Sequence, residues 1–291
     1  MNPHDVRDLL WLATVLYGVS FVIGLFKTRY SLANGLKESP FILILLGFLL
    51  QTRALYLRGL EVHGCPLGNG LERTQFILWS LILSFLLLRL IWKLNMLGTF
   101  CAAVSLLLGS LSLTLKSWDS PYWMANGYTR LFRDPWIELH ASLAIFSYGL
   151  FCLLAVVSMM YLSQRQALLS RRTGFLGPYL PPIQDLEVAA MRLLTAGVSF
   201  LSLSMVVGTM HWTRHPEFVS HLKLTVTTAL WIGYLLLLAM RMSNRLYGAR
   251  FAKCTIGLFA LALLSLSLVN SKTKKQALHP SPPSSFSLIS P

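Results

Sequence analysis

Residues 135–166 read PWIELHASLAIFSYGLFCLLAVVSMMYLSQRQ, and the apolar run within them, from about 138 to 163, is long enough to cross a bilayer. A helix spans the hydrocarbon core with about 20 mostly apolar residues. Working outward, similar runs separated by polar breaks occur at about 9–26, 40–57, 73–92, 94–115, 186–210, 221–241 and 250–270. Composition agrees, because 55% of the 291 residues are hydrophobic and 12% charged, with a mean hydropathy of +0.60. An ordinary water-facing surface takes about a quarter charged residues. The expected fold class is therefore all-α, a polytopic integral membrane protein with about eight transmembrane helices. Only Lys93, Leu94 and Asn95 separate the third and fourth runs, which predicts a tight helical hairpin.

Eight spans leave little room for a separate soluble domain. Residues 1–270 are expected to form a single transmembrane helical domain, and 271–291, SKTKKQALHPSPPSSFSLISP, a disordered tail rich in Ser, Pro and Lys. The opening MNPHDVRDLL is acidic as well as basic, and no small-residue cleavage site follows its apolar run, so a retained first span is expected rather than a secretory signal. Four cysteines form no CxxC or CxxCH motif, which argues against thiol redox chemistry and against self-attachment of a c-type haem.

The net charge of +14 would suggest nucleic acid on a soluble chain. On a membrane chain it reads first as topology, because cytoplasmic loops retain Lys and Arg. Lys27, Arg29, Lys37, Arg89, Lys93, Arg165, Arg171, Arg172, Arg241, Arg245, Arg250 and Lys253 fall on one side. These twelve face eight on the other side once the three tail lysines are set apart. The bias places both termini outside, in a bacterial-type inner (cytoplasmic) membrane, with no nucleic-acid partner. Arg53 and Arg192 lie within spans, where an unpaired charge is costly, and both are expected to snorkel toward the nearer interface.

With that topology all seven histidines fall outside or at the outer ends of spans, and four of them, His140, His211, His215 and His221, cap spans five to seven. Imidazole at a membrane boundary suits haem iron, so these four are candidate axial ligands. The competing reading is interfacial histidines bonded to headgroups or loop carbonyls. Zinc and copper also accept imidazole, but Glu138 and Glu217 complete no convincing ligand spacing. Aromatic residues gather on the same side: KSWDSPYWMANGYTRLFRDPWI at 116–137 contains Trp118, Trp123 and Trp136, and Trp212 lies in the loop after span six. They suit either an interfacial aromatic belt or a platform for a flat apolar ligand, with Arg130 and Arg133 free to pair with carboxylates such as haem propionates. Trp123, Trp136 and Trp212 join the histidines as candidate cofactor-binding residues.

The central stretch resembles the characteristic helix of the cytochrome c assembly proteins of the CcsA/CcmC/HemX type. There an outer histidine is followed by a Ser-Tyr pair and a closing Tyr-Leu-x-Gln turn, matched here by His140, Ser147, Tyr148, Tyr161, Leu162 and Gln164. CPLGNGLERTQFILWSLIL at 65–83 and LPPIQDLEVAAMRLLTAGVSFLSLSMVVG at 180–208 are similar to flanking family segments, so roughly residues 60–270 are covered. The family's tryptophan-rich segment is reduced here to HWTRHPEFVS, and its membrane-embedded histidine corresponds to Ala239. Those departures bring the chain closer to the shorter HemX-like members.

The resemblance implies a membrane component of cytochrome c biogenesis that binds or relays non-covalent haem b at the outer face, with His140 and His221 as the candidate axial ligands and His211 as the alternative opposite ligand. Its partners would be apocytochrome c and a membrane partner subunit, and it would hold no complete enzymatic activity by itself. The alternative is a HemX-like regulator of tetrapyrrole biosynthesis acting through its inner loops. A transporter is the weakest reading, since no inverted repeat or paired Gly/Pro-interrupted spans occur.

Overall fold

The computed structural model describes residues 3–29, 38–62, 66–67, 69–91, 95–119, 135–170, 182–212 and 221–271. Among them lie eight long helices and no strand. These are α1 (Pro3–Arg29), α2 (Ser39–Val62), α3 (Gly70–Ile91), α4 (Asn95–Thr114), α5 (Pro135–Leu169), α6 (Ile183–Trp212), α7 (His221–Met242) and α8 (Gly248–Ser271). A one-turn 3-10 helix, Lys116–Trp118, follows α4. All eight long helices have the length and apolar composition to cross a membrane, and the chain is an integral membrane protein. The expected tail beyond Ser271 lies outside the described residues.

The helices run alternately up and down. Ion pairs from Arg7 to Asp119 and from Arg58 to Glu72 bring the starts of α1 and α3 beside the ends of α4 and α2. We call this the His140 end. Pairs Arg89–Glu38 and Arg241–Glu187 tie the opposite end. Helices α3 and α4 pack on each other as the expected hairpin.

Local chemistry sets several boundaries. At the start of α3 the Asn69 side-chain oxygen accepts the Glu72 backbone N–H at 2.8 Å, a helix N-cap. Pro135 opens α5, where its missing N–H costs no helical bond. Between α7 and α8, Asn244 adopts φ 59°, a left-handed conformation that its short polar side chain tolerates better than most.

Helix α5 organises the packing. It contacts α3 and α4 on one side and α6 and α8 on the other, joining an α1–α4 half to an α5–α8 half. Every residue from Gly149 to Ser158 is buried, so this stretch packs around its whole circumference, as a central helix must. The two halves meet where Gly149 lies directly on Ser80 of α3; a methyl group there would come within 3.0 Å of the Leu81 backbone nitrogen. Lipid tails are as apolar as leucine, so helices in a membrane gain by close approach at small residues rather than by burying apolar faces.

The α1–α4 half also has a polar spine. The Tyr17 hydroxyl donates to Gln51 at 2.8 Å, the Gln51 amide donates to Gln75 Oε1 at 2.9 Å, and the Gln75 amide donates to Ser112 at 3.0 Å. One side chain comes from each of the four helices, and all four are buried. Each satisfies a group that hydrocarbon cannot.

Candidate ligand site around His140

His140 occupies the second turn of α5, half-buried against α6. Its ring rests on Gly208: a Cβ built there would lie 2.7 Å from Nδ1 and 2.8 Å from Cε1. One turn earlier on α6, Ser204 meets the same ring. Nδ1 lies 2.7 Å from the Ser204 carbonyl oxygen and 3.1 Å from its hydroxyl, while that hydroxyl donates to the His140 carbonyl at 2.9 Å. Ser204 and Gly208 are four residues apart and share one face of α6, a small-xxx-small pair that lets the two helices close around an imidazole.

This geometry fixes the ring's chemistry. A carbonyl oxygen cannot donate, so the proton of the neutral imidazole is on Nδ1 and the lone pair is on Nε2. Donation of the other ring N–H to a backbone carbonyl is the usual arrangement for a histidine that ligates a metal, because it sets the tautomer and orients the ring. The donor chemistry at His140 therefore fits an axial ligand. Among the described residues no three His, Cys, Asp or Glu side chains gather as a metal cluster.

The other candidates can be placed in part. His211 lies on α6, three residues beyond Gly208, and Trp212 ends that helix. His221 is the first residue of α7. The side chains of these three lie outside the described residues, as does Trp123 together with the rest of residues 120–134 and with Arg130 and Arg133. Trp136 is at the start of α5 and largely exposed. Trp118, from the same aromatic segment, packs instead over Gly70 at the start of α3.

Helices α5 and α7 run in the same direction and touch below the site, where the Phe151 and Tyr234 rings stack 3.6 Å apart and nearly parallel. His140 precedes Phe151 by 11 residues and His221 precedes Tyr234 by 13. At 1.5 Å of rise per residue these positions are about 16 and 20 Å from the stack, at the same end of the bundle. Helix α6 is tied to α7 by the Trp231 indole, which donates to the Ser202 hydroxyl at 2.9 Å. The three helices carrying His140, His211 and His221 are thus fastened to one another below the candidate site.

Ser204 and Gly208 were not singled out from the sequence. The available signal was the four-residue spacing of small residues near the end of span six, on a helix adjoining one with a terminal histidine. Also unforeseen was a charged cluster at the same end of the bundle. Arg58 pairs with Glu61 at 2.9 Å and Glu72 at 2.8 Å and lies 3.6 Å from Asp119, which in turn pairs with Arg7 at 2.9 Å. It clasps the ends of α1–α4.

Among known proteins, the family described as Cytochrome C assembly protein matches residues 67–275, a range that takes in α3 through α8 and the whole His140 site. Protein HemX of Brevibacillus brevis is 26% identical over 204 residues, covering 70% of this chain and 73% of that protein. An uncharacterized 28.8 kDa protein of Azospirillum brasilense is 33% identical over 73 residues, a quarter of this chain. With almost three-quarters of its length matched, including the central helix and its histidine, the chain belongs to the cytochrome c assembly protein family, and this membership supports a role in cytochrome c biogenesis.

Proposed function

We propose that the chain binds or relays haem b at the His140 end of the bundle, as a membrane component of cytochrome c biogenesis acting with a partner subunit toward apocytochrome c. In this reading the His140 end faces outward from a bacterial-type inner membrane and both termini are outside. The observation that carries the proposal is the 2.7 Å contact between His140 Nδ1 and the Ser204 carbonyl, which puts the ring proton on Nδ1 and the lone pair on Nε2. His140, together with His221 or His211, would hold the iron, and Trp136, Trp212 and Trp123 would pack around the porphyrin. Bound haem supplies the vinyl groups that are joined to apocytochrome thiols. Ser204 keeps the His140 ring in one tautomer and one orientation, so that it does not have to reorganise when a ligand arrives. Formation of the bonds to the apocytochrome thiols would fall to the partner subunit.

The test is spectroscopic. Detergent-purified protein mixed with haem is expected to give a Soret band of bis-histidine character that His140→Ala weakens. A protein that stays colourless after haem addition would refute the proposal.

A second reading, a membrane regulator of tetrapyrrole synthesis, is favoured by the similarity to Protein HemX and by the short HWTRHPEFVS segment. Co-purification of a tetrapyrrole-synthesis enzyme through the segment that joins α5 to α6, persisting when His140, His211 and His221 are all replaced, would favour it over haem handling.

A further inference from the structure

A cavity of about 490 Å³ opens between α2 and α3 on the His140 side of the bundle, away from His140 itself. Its volume lies in the range of small-molecule sites, about 300–1,000 Å³. Leu55, Leu60, Pro66, Phe76 and Trp79 make the lining apolar, and Tyr56 stands at its edge. The polar side-chain atoms of Trp79 and Thr52 in this wall are already engaged. The Trp79 indole donates to the Thr52 hydroxyl at 2.9 Å, and that hydroxyl donates to the Phe48 carbonyl at 2.7 Å. Phe48 stacks on Trp79 with ring centroids 5.7 Å apart, which steadies this wall. Against Trp79, Phe76 and Leu55 an occupant therefore meets mostly hydrocarbon.

The mouth of the cavity has a different character. Arg53, Tyr56 and Leu60 lie at i, i+3 and i+7 of α2, one face of the helix, and all three are exposed. Tyr56 and Leu60 line the cavity, so it opens on the face that bears Arg53. Among the described residues Arg53 has no hydrogen-bond or ion-pair partner, whereas Arg58, five residues on, pairs with two carboxylates within 3 Å. Nine residues separate Arg53 from the end of α2, about 14 Å along the axis. An exposed guanidinium at that depth beside an apolar cavity is complementary to one kind of molecule in the bilayer, an amphiphile with an acyl chain and an anionic head.

We infer that the α2–α3 cavity binds an anionic phospholipid, with an acyl chain against Trp79 and Phe76 and the phosphate drawn to Arg53. The inference is independent of haem binding at His140. The test measures thermal unfolding of the full chain in neutral detergent, with phosphatidylglycerol or phosphatidylcholine added at equal mole fraction. Binding to the folded state raises the midpoint. Phosphatidylglycerol is expected to raise it more than phosphatidylcholine, and Arg53→Gln is expected to weaken apparent phosphatidylglycerol affinity about tenfold, the worth of a hydrogen bond to a charged group. Arg53→Lys should retain the preference, and so should His140→Ala. Gly59→Phe, which fills the cavity, should abolish the response; if that variant fails to fold, the Arg53 pair still decides. Equal shifts from the two lipids, or an undiminished preference in Arg53→Gln, would overturn the inference. An Arg53-dependent shift from haem and none from phosphatidylglycerol would overturn it in favour of haem.

Discussion

Replacing Gly208 by alanine tests the His140 site with an effect whose sign depends on the imidazole. The added Cβ would lie 2.7 Å from Nδ1, so the ring must retreat by about 0.7 Å to reach ordinary contact at 3.4 Å. Ser204 and Gly208 are on the same helix, so a ring pushed off Gly208 is also drawn from the Ser204 carbonyl that it now meets at 2.7 Å. Overpacking costs about 1–3 kcal/mol and the weakened hydrogen bond about 0.5–1.5 kcal/mol. Against this, alanine is a better helix former than glycine by about 1 kcal/mol. The net expectation is a loss of about 1–3 kcal/mol in the parent protein. In a His140→Ala background the clash and the hydrogen bond are both gone and only the propensity gain remains, so the same change should stabilise by up to about 1 kcal/mol. Unfolding of the four proteins by sodium dodecyl sulfate in mixed micelles measures the cycle, with an expected coupling of about 2–4 kcal/mol. Equal effects of Gly208→Ala in both backgrounds would refute the described packing of the ring.

Other contacts are open to the same treatment. Gly149→Ala should destabilise by about 1–3 kcal/mol, toward the upper figure because its neighbours in α3 include backbone atoms that cannot turn aside, and a neutral result in the same titration would contradict the α3–α5 crossing. Gln51→Leu should cost about 1–3 kcal/mol by leaving the Tyr17 hydroxyl and a Gln75 oxygen without their partner. Adding Tyr17→Phe to that variant should then cost less than Tyr17→Phe does in the parent, and strict additivity would argue against the spine.

Much of the architecture was legible because hydrocarbon imposes one rule on every span: backbone groups must be bonded within the helix, so a long apolar run becomes a helix whatever surrounds it. The run from 138 to 163 and its seven companions therefore gave the helices, and the three residues 93–95 gave the hairpin of α3 and α4. Helix ends were less clear. Helix α5 continues six residues past its apolar run, to Leu169, because polar residues at a membrane boundary keep helical bonding while losing hydropathy.

The charged residues were harder to read. Glu61 is two turns from Arg53 and one from Arg58 in sequence, yet its partner is Arg58, which also reaches Glu72 of α3 and Asp119 beyond α4. Only the packing of α1–α4 brings those groups together. The tyrosine, glutamines and serine of the polar spine have no common spacing and come from four helices.

By itself the sequence determined that this chain is a helical membrane protein, which runs cross the bilayer, and that His140 heads a helix resembling those of cytochrome c assembly proteins. Those properties depend on local hydropathy, length and motif, each carried by neighbouring residues. Tertiary structure decided which nitrogen of His140 carries the proton, because the carbonyl that accepts it belongs to Ser204, 64 residues away. The same is true of the α2–α3 cavity and of the different surroundings of Arg53 and Arg58. A tautomer, a cavity and a charge's partner are properties of the space between helices, and residue order along one helix does not contain them.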